Sequence, residues 1–358
     1  MSTSRAVVFD GTGRPWRFET RSIAALQPNE ILVKIEACTL CGSDLHSVDG
    51  RRSVPTPTVL GHEIIGRIAG FGTAASRVDL QGTAMEIGDR VVWAIVASCG
   101  DCFYCQRGLP QKCERAFKYG HQVVEPHRPW SGGLAEHCVL VGGTHILRIP
   151  ESLSTAAACP LSCATSTIAA ALRIVGLQPS ERALIVGAGM LGLTACAMAR
   201  DLGAGHVVCA DLIEERAQRA TRFGATEILH GPSMIPSQLA AWDGYGFDVV
   251  IECTGSNRAT QMGLEALRMG GRIGLVGAVF PGEPMPLILE RLVRRQISVH
   301  GIHNYAPTDL VSAVSFMERA EARYPFSGLV SQSFSLDEIE LAFAAAHDPS
   351  HIRIAVLP

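Results

Sequence analysis

Apolar residues in the first 150 positions come in short bursts broken by Gly, Pro and Asp, as at residues 31–35 (ILVKI) and 90–96 (RVVWAIV). This texture predicts short strands in an irregular, mainly β domain. From residue 180 the pattern changes. Residues 183–186 (ALIV) read as a short buried strand, a Gly-rich turn follows, and residues 191–202 carry a helical run. A second strand at 206–210, a helix rich in Arg and Glu, and later strands at 247–252 and 272–276 continue a β-α alternation. Such alternation predicts a parallel, doubly wound sheet, so the expected fold class is α/β. Helical pieces at 309–322 and 335–345 then precede a last strand at 352–357. No internal repeat or low-complexity segment interrupts the chain.

The length of 358 residues suits two domains, each with its own core. With 47% hydrophobic and 18% charged residues, disorder is excluded as a reading. Lys+Arg 31 against Asp+Glu 34 gives a net charge of −3, which offers no electrostatic footprint for nucleic acid or an anionic membrane. The first residues lack the charged start and apolar core of a secretory signal, and no uncharged apolar run is long enough to span a bilayer. A cytoplasmic location is therefore expected. In that compartment twelve cysteines point to metal rather than disulfides.

Their spacing supports this. Cys99, Cys102, Cys105 and Cys113 form C-x2-C-x2-C-x7-C within CGDCFYCQRGLPQKC. Four thiolates on one short loop close a tetrahedral Zn²⁺ shell with no open position, which makes the ion structural. Gly100 and Gly108 let the backbone wrap tightly. Four-cysteine iron–sulfur ligation is the competing metal reading. A catalytic zinc needs three ligands and an open position, and its candidates are separated: Cys41 in CTLCGSDLH, His62 in LGHE and Cys163 in CPLSCATSTIAAAL. Ser43, Asp44 and His46 crowd the turn after Cys41.

Gly187, Gly189, Met190, Leu191 and Gly192 belong to GAGMLG, a G-x-G-x-x-G between the strand ALIV and a helix, and Asp211 closes the next strand. The glycines permit the tight turn, the approach of a pyrophosphate and the packing of helix on strand. Asp211 suits the adenosine ribose hydroxyls and repels a 2′-phosphate, which favours NAD over NADP. A helix N-cap is the plainer role for Asp211. Arg216 lies on the following helix, where a solvated charge is the alternative.

Through CGSDLH, GHE, the four-cysteine lobe, GAGMLG and the closing HIR, essentially the whole chain resembles the zinc-containing medium-chain dehydrogenase/reductase family of alcohol and polyol dehydrogenases. The resemblance implies a GroES-like mainly β catalytic domain (1–155), a Rossmann NAD-binding domain (156–295) and a C-terminal segment (296–358) that returns to the first. It implies two Zn²⁺ per chain and NAD as cofactor. By its motifs Cys41, His62 and Cys163 match the catalytic ligands, with Cys163 preferred to nearby Cys159 because Thr167 follows it by four residues. Glu63 matches a Glu that can approach the zinc, Asp44 the carboxylate that orients His62, and Arg353 an arginine near the pyrophosphate. A homodimer or homotetramer joined through the cofactor domains along 271–287 is implied too.

The expected chemistry is reversible hydride transfer between an alcohol and NAD, with Ser43 and His46 carrying the proton to solvent. A zinc-free quinone reductase of the same fold would leave Cys41, His62 and the cysteine lobe unexplained. A non-enzymatic zinc- and dinucleotide-binding protein is the other alternative. Arg51 and Arg52, in HSVDGRRSVPTPTVLGHE, depart from the family in being adjacent, and they suit an anionic hydroxy compound or, equally, plain surface charge. The segment resembles a branch of the family associated with phosphonate breakdown, so a hydroxyalkylphosphonate is an expected candidate substrate.

Overall fold

A computed structural model describes residues 3–125, 130–231 and 244–358. The chain forms two compact units: Met1–Cys163 with Ala306–Glu321 and Phe326–Pro358, and Ala164–Tyr305 with Ala322–Pro325. In chain order the first unit starts with β1 (Thr3–Val8), β2 (Arg17–Ser22), β3 (Ile31–Thr39), α1 (Gly42–Val48), β4 (Glu63–Phe71) and β5 (Arg90–Trp93). It continues with β6 (Val96–Ala97), β7 (Phe117–Lys118), β8 (His137–Leu140), β9 (Ile146–Arg148) and the short α2 (Thr155–Ala158). The second unit holds α3 (Ala164–Val175), β10 (Arg182–Val186), α4 (Met190–Asp201), β11 (His206–Asp211), α5 (Glu214–Arg219), β12 (Glu227–His230), β13 (Phe247–Glu252), β14 (Leu267–Leu275) and β15 (Ser298–Gly301). The chain then returns to the first unit with the helix Pro307–Ala320, β16 (Val330–Ser335), the helix Ile339–His347 and β17 (Arg353–Leu357).

In the first unit a sheet runs β16-β17-β3-β4-β5-β9, with β8 also paired to β3. Alternation does the sorting: Ile31, Val33 and Ile35 of β3 are buried while Lys34 between them is exposed. Their inward faces pack with Leu60, Ile64, Trp93, Tyr119 and Leu134. Register then decides what meets at one end of this sheet. Thr39, the last residue of β3, lies opposite Glu63, the first of β4, and Ala355 of β17 lies opposite Thr39 from the other side. Three distant stretches of chain thus converge just beyond β3.

The second unit is a parallel sheet in the order β12-β11-β10-β13-β14-β15. In sequence rank this is 3-2-1-4-5-6, the doubly wound dinucleotide-binding order. β13 (FDVVIE) is buried throughout, as a central strand covered on both faces requires. The α/β expectation therefore holds, as do the strands at 183–186, 206–210 and 247–252. After residue 180, the described strands β12, β15 and β16 escaped the hydrophobic pattern, because EILH, SVHG and VSQSFS contain no apolar run. The C-terminal helical stretch begins at Leu336, one residue after the expected 335, because residues 330–335 extend as a strand beside β17; a 3-10 turn, Leu336–Glu338, leads into the α-helix Ile339–His347.

Candidate active site and its metal centres

Beyond the end of β3 the chain makes a sharp turn into α1, with Cys41 as the extended residue at the helix start. Asp44, one turn on, is buried, and its carboxylate gathers the surrounding backbone. It accepts from the Cys41 N–H at 2.9 Å and the Gly61 N–H at 3.3 Å, and its Oδ1 stands 3.2 Å from His62 Nδ1. That contact turns Nε2 of His62 to the opposite side, where Ser43 Oγ lies 3.3 Å away. Gly61 makes the approach possible: it sits at φ +90, and a Cβ there would lie 2.6 Å from Cys38 Sγ. Cys163 arrives from the turn Cys159–Ser162. Ser162 Oγ clamps this turn to the histidine by donating to His62 O at 3.1 Å and accepting from Ile64 N–H at 3.2 Å.

The result is a group in which one ligand atom each from Cys41, His62 and Cys163 lies within 4.8 Å of the others. Cys159, fully buried, stands outside it. The neighbouring Cys163 thiol, with His62 and Arg353, holds the Cys41 thiol well below its ordinary value against the effect of burial. Burial would lower the His62 value, but Asp44 and Cys41 outweigh it and push the imidazole up to about 10. A buried imidazole oriented by a carboxylate and flanked by two thiols is a donor set suited to a divalent ion of zinc type.

Glu63 follows the histidine and is fully buried. Its carboxylate accepts from Arg353 Nε at 2.9 Å and Nη2 at 3.1 Å, and from Thr39 Oγ1 at 2.6 Å. Arg353 Nη2 is also 3.9 Å from Cys41 Sγ. Of the other expected residues, His46 is half-buried on α1, its value lowered by burial and by the charge of Arg51. The two arginines separate. Arg51 is exposed; Arg52 is half-buried, its N–H donating to His46 O at 3.0 Å, and its charge is felt together with those of Cys41, Cys163 and Asp44.

Two residues of this neighbourhood were not anticipated. Lys118, at the end of β7, is half-buried, and burial together with the charge of Arg52 pushes it down to about 8. His121 is buried with its ring 5.4 Å from that of His62, and its Nδ1 is 2.8 Å from Tyr119 O. Gly120 between them packs on Gly61: a Cβ there would lie 2.6 Å from Gly61 O. The sequence KYGH offers no ligand spacing that would announce this. The β6–β7 pairing, Val96 opposite Lys118, and the bridge between Thr58 and Val123 bring it to the site.

In the cysteine lobe the sulfurs of Cys99, Cys102, Cys105 and Cys113 all lie within 4.8 Å of one another. The separations Cys99–Cys105 and Cys102–Cys113 are both 3.9 Å, and Cys113–Cys99 is 3.4 Å. A tetrahedron of zinc–sulfur bonds about 2.3 Å long has an edge of about 3.8 Å, so the four thiols fit the ion. Backbone N–H groups of Cys99 and Arg115 each reach Cys113 Sγ at 3.3 Å. Those of Cys105 and Glu114 bring Cys102 down to about 6, so thiolate is favoured there at neutral pH.

In the second unit Gly187 turns at φ +98 after β10, Gly189 is the residue before α4, and Met190 and Leu191 open that helix. A Cβ on Gly192 would lie 1.7 Å from Gly187 O, so the turn and helix interlock only without one. A Cβ on Gly189 would meet nothing within 4 Å. The protein's own packing does not need that glycine, whereas a phosphate approaching the backbone does. Asp211, at the end of β11, accepts from Ala188 N–H at 2.7 Å and Ile213 N–H at 2.9 Å. It thus ties the loop to its strand, and Ile213, not Asp211, is the residue that precedes α5. Arg216 is half-buried on α5.

Comparison with known proteins places these features in context. Residues 27–151 match the model of the alcohol dehydrogenase GroES-like domain, and residues 191–319 match that of the zinc-binding dehydrogenase, together well over half the chain. The chain is 29% identical to a sorbitol dehydrogenase of Bacillus subtilis, covering 96% of this chain and 93% of that one. It is also 29% identical to an L-threonine 3-dehydrogenase of Anaeromyxobacter dehalogenans, covering 88% and 87%. Among solved structures, an alcohol dehydrogenase from Thermotoga maritima superposes with a TM-score of 0.93 at 27% identity, over 100% of both chains.

Proposed function

Because the chain belongs to the zinc-dependent medium-chain dehydrogenase family, we infer that it is an NAD-dependent alcohol dehydrogenase, transferring hydride between the CH–OH carbon of a small alcohol and the nicotinamide. The observation that carries the reading is the Cys41, His62 and Cys163 group with the Ser43 hydroxyl beside His62. Cys41, His62 and Cys163 would hold a zinc ion. When bound, zinc would supply Lewis-acid polarisation of the alcohol oxygen, and NAD would supply the hydride acceptor.

The chain's residues do the rest. Ser43 accepts the hydroxyl proton, and His46, three residues on and so on the same face of α1, passes it to solvent. Burial and the nearby Arg51 lower the His46 value, which keeps the ring neutral and ready to accept at pH 7. Asp44 fixes the orientation of His62. Glu63 can ligate a metal only by leaving Arg353 and Thr39. In the second unit the N–H groups at the start of α4 suit the pyrophosphate, with Arg216 on α5 a candidate for the adenosine end. The Asp211 carboxylate, with lone pairs left after its two backbone contacts, suits the ribose hydroxyls and disfavours a 2′-phosphate. The cysteine lobe holds a structural ion.

The test is a spectrophotometric screen of alcohols with NAD and NADP on protein whose zinc content is measured. About two zinc per chain and NAD-linked oxidation are expected. Fewer than about one zinc per chain with quinone reduction would favour the zinc-free reductase. Two zinc, dinucleotide binding and no turnover would favour a non-enzymatic binding protein. We further propose a cytoplasmic enzyme, where its thiols stay reduced, and a homodimer or homotetramer. β14 lies inside the sheet, so the edge next to it is β15, with Val299 exposed and Val293 exposed on the helix before it. Sedimentation as a monomer would refute the assembly.

A further inference from the structure

A buried hydroxyl joins the two stretches of chain that bring His62 and Cys163 to the same point. Ser162 is 2% exposed, so solvent has little access to replace what its side chain does. Its Oγ lies 3.1 Å from His62 O, 3.2 Å from Ile64 N and 3.4 Å from Cys159 O. A hydroxyl has one proton to give, and the nearer carbonyl, that of His62, takes it while the oxygen accepts from the Ile64 N–H. These two contacts fall on either side of Glu63, so the peptide groups around that residue are held at both ends. The residue after Ser162 is Cys163, whose backbone leaves the turn at φ −136 and ψ −83 with its N–H donating to Pro160 O at 3.2 Å. Little slack therefore separates the clamp from the Cys163 thiol. Ser162 and His62 are 100 positions apart, so no local spacing restrains the two ligands, and their separation depends on contacts of this kind. Zinc is demanding here: its bonds of about 2.0–2.3 Å tolerate displacements of only about 0.2 Å. The cysteine lobe draws all four ligands from one loop and has no such dependence.

We propose that Ser162 is a positioning residue of the Cys41, His62 and Cys163 centre: its hydroxyl sets the separation of the Cys163 thiol from the His62 imidazole, and with it the affinity of this site, but not of the cysteine lobe, for zinc. Asp44 orients the imidazole through its ring, whereas Ser162 acts on the backbone beneath it and on the neighbouring ligand together. The inference rests on the zinc reading of this group and on no substrate or cofactor.

The test follows zinc release from the full-length, zinc-loaded protein into a chromogenic chelator. Wild type should release about two zinc per chain in two phases, and the phase missing from C163S identifies the catalytic site. In S162A that phase should quicken about tenfold or more, as removal of a group supporting a metal ligand commonly does, while the phase from the cysteine lobe keeps its wild-type rate. S162T, which keeps the hydroxyl, should restore slow release. Cobalt in place of zinc gives a second readout, because its visible absorption follows ligand geometry: the band that C163S removes should shift in S162A and return in S162T. T194V is the control, since Thr194 in the second unit also donates a buried hydroxyl to a carbonyl, Met190 O at 2.8 Å, and its loss should leave both phases unchanged. In wild type the coupling runs the other way as well. Stripping the zinc that Cys163 marks should speed exchange of the Ile64 N–H about tenfold, because linkage between binding and the clamp is reciprocal. That measurement decides even if S162A does not fold. Unchanged release from a folded S162A, quickening of both phases in step, or Ile64 exchange indifferent to zinc would each overturn the role of Ser162 while the zinc reading stood. A wild type with one zinc, which C163S leaves in place, would overturn the zinc reading and the proposal together.

Discussion

Replacing Arg353 by methionine removes the counter-ion of a carboxylate that has no water to turn to. Glu63 is fully buried, and of its three donors two belong to Arg353, at 2.9 and 3.1 Å, leaving only Thr39 at 2.6 Å. Breaking a buried pair from one side costs about 3–5 kcal/mol, because the surviving charge keeps its desolvation penalty. At about 2–4 °C per kcal/mol for a domain of this size, that is a loss of roughly 6–20 °C in Tm. The loss depends on pH in a definite direction. Burial already holds the Glu63 carboxyl above its ordinary 4.5 despite Arg353, and without the guanidinium it rises further. For a group raised in the fold, stability is fully present below the unfolded value and is lost as pH rises through the folded one. R353M should therefore be closest to wild type near pH 4 and furthest from it above neutrality. Thermal melts of R353M, E63Q and the double substitution across that range provide the assay. The double variant should be less damaged than the sum of the singles. A loss below about 1 kcal/mol, or strict additivity, would refute the reasoning.

The two metal centres should separate by readout: C163S should abolish most turnover at modest cost in Tm, whereas C102S should lower Tm more than activity, and equal losses in both would defeat the division. D211A should raise the NADP-to-NAD ratio of kcat/KM, and because Asp211 also holds the Ala188 and Ile213 N–H groups, affinity for NAD should fall as well. An unchanged ratio would remove Asp211 from cofactor choice. His347 donates to the Phe343 carbonyl at 2.7 Å and faces Asp49 at 2.9 Å, both of which raise its value above 6.5. Its contribution is fully present below 6.5 and is lost as pH rises through the folded value, so H347Q should melt below wild type at pH 5.5 and match it at pH 8.5. As a partly exposed pair it is worth about 0.2–1 kcal/mol.

What the sequence disclosed follows the range of the interactions. The cysteine lobe and the glycine loop are local, so their spacing alone marks them, and a parallel, doubly wound sheet follows from strand and helix alternation. Cys41, His62 and Cys163 carry no common spacing and became legible only as a set matched to a family. The pairing of Glu63 with Arg353, residues separated by 290 positions, depends on the register of β17 against β3. Lys118 and Arg52 were obscured differently. A lysine in a two-residue strand looks like ordinary surface charge, and of two adjacent arginines nothing in their identity says which turns inward.

The discontinuity of the first unit sets a timetable for its synthesis. A ribosome emits β3, α1 and β4 early, and these pair with one another and with β8, but the flank of β3 that β17 covers stays open until nearly 300 further residues have emerged. The middle unit, contiguous apart from four residues, has all its strands in hand before then. For that interval Glu63 has no arginine, and the half-made sheet offers an unpaired edge to other nascent chains. Truncations that spare every metal ligand but remove residues 353–357 are thus expected to yield aggregating protein rather than a weakened enzyme.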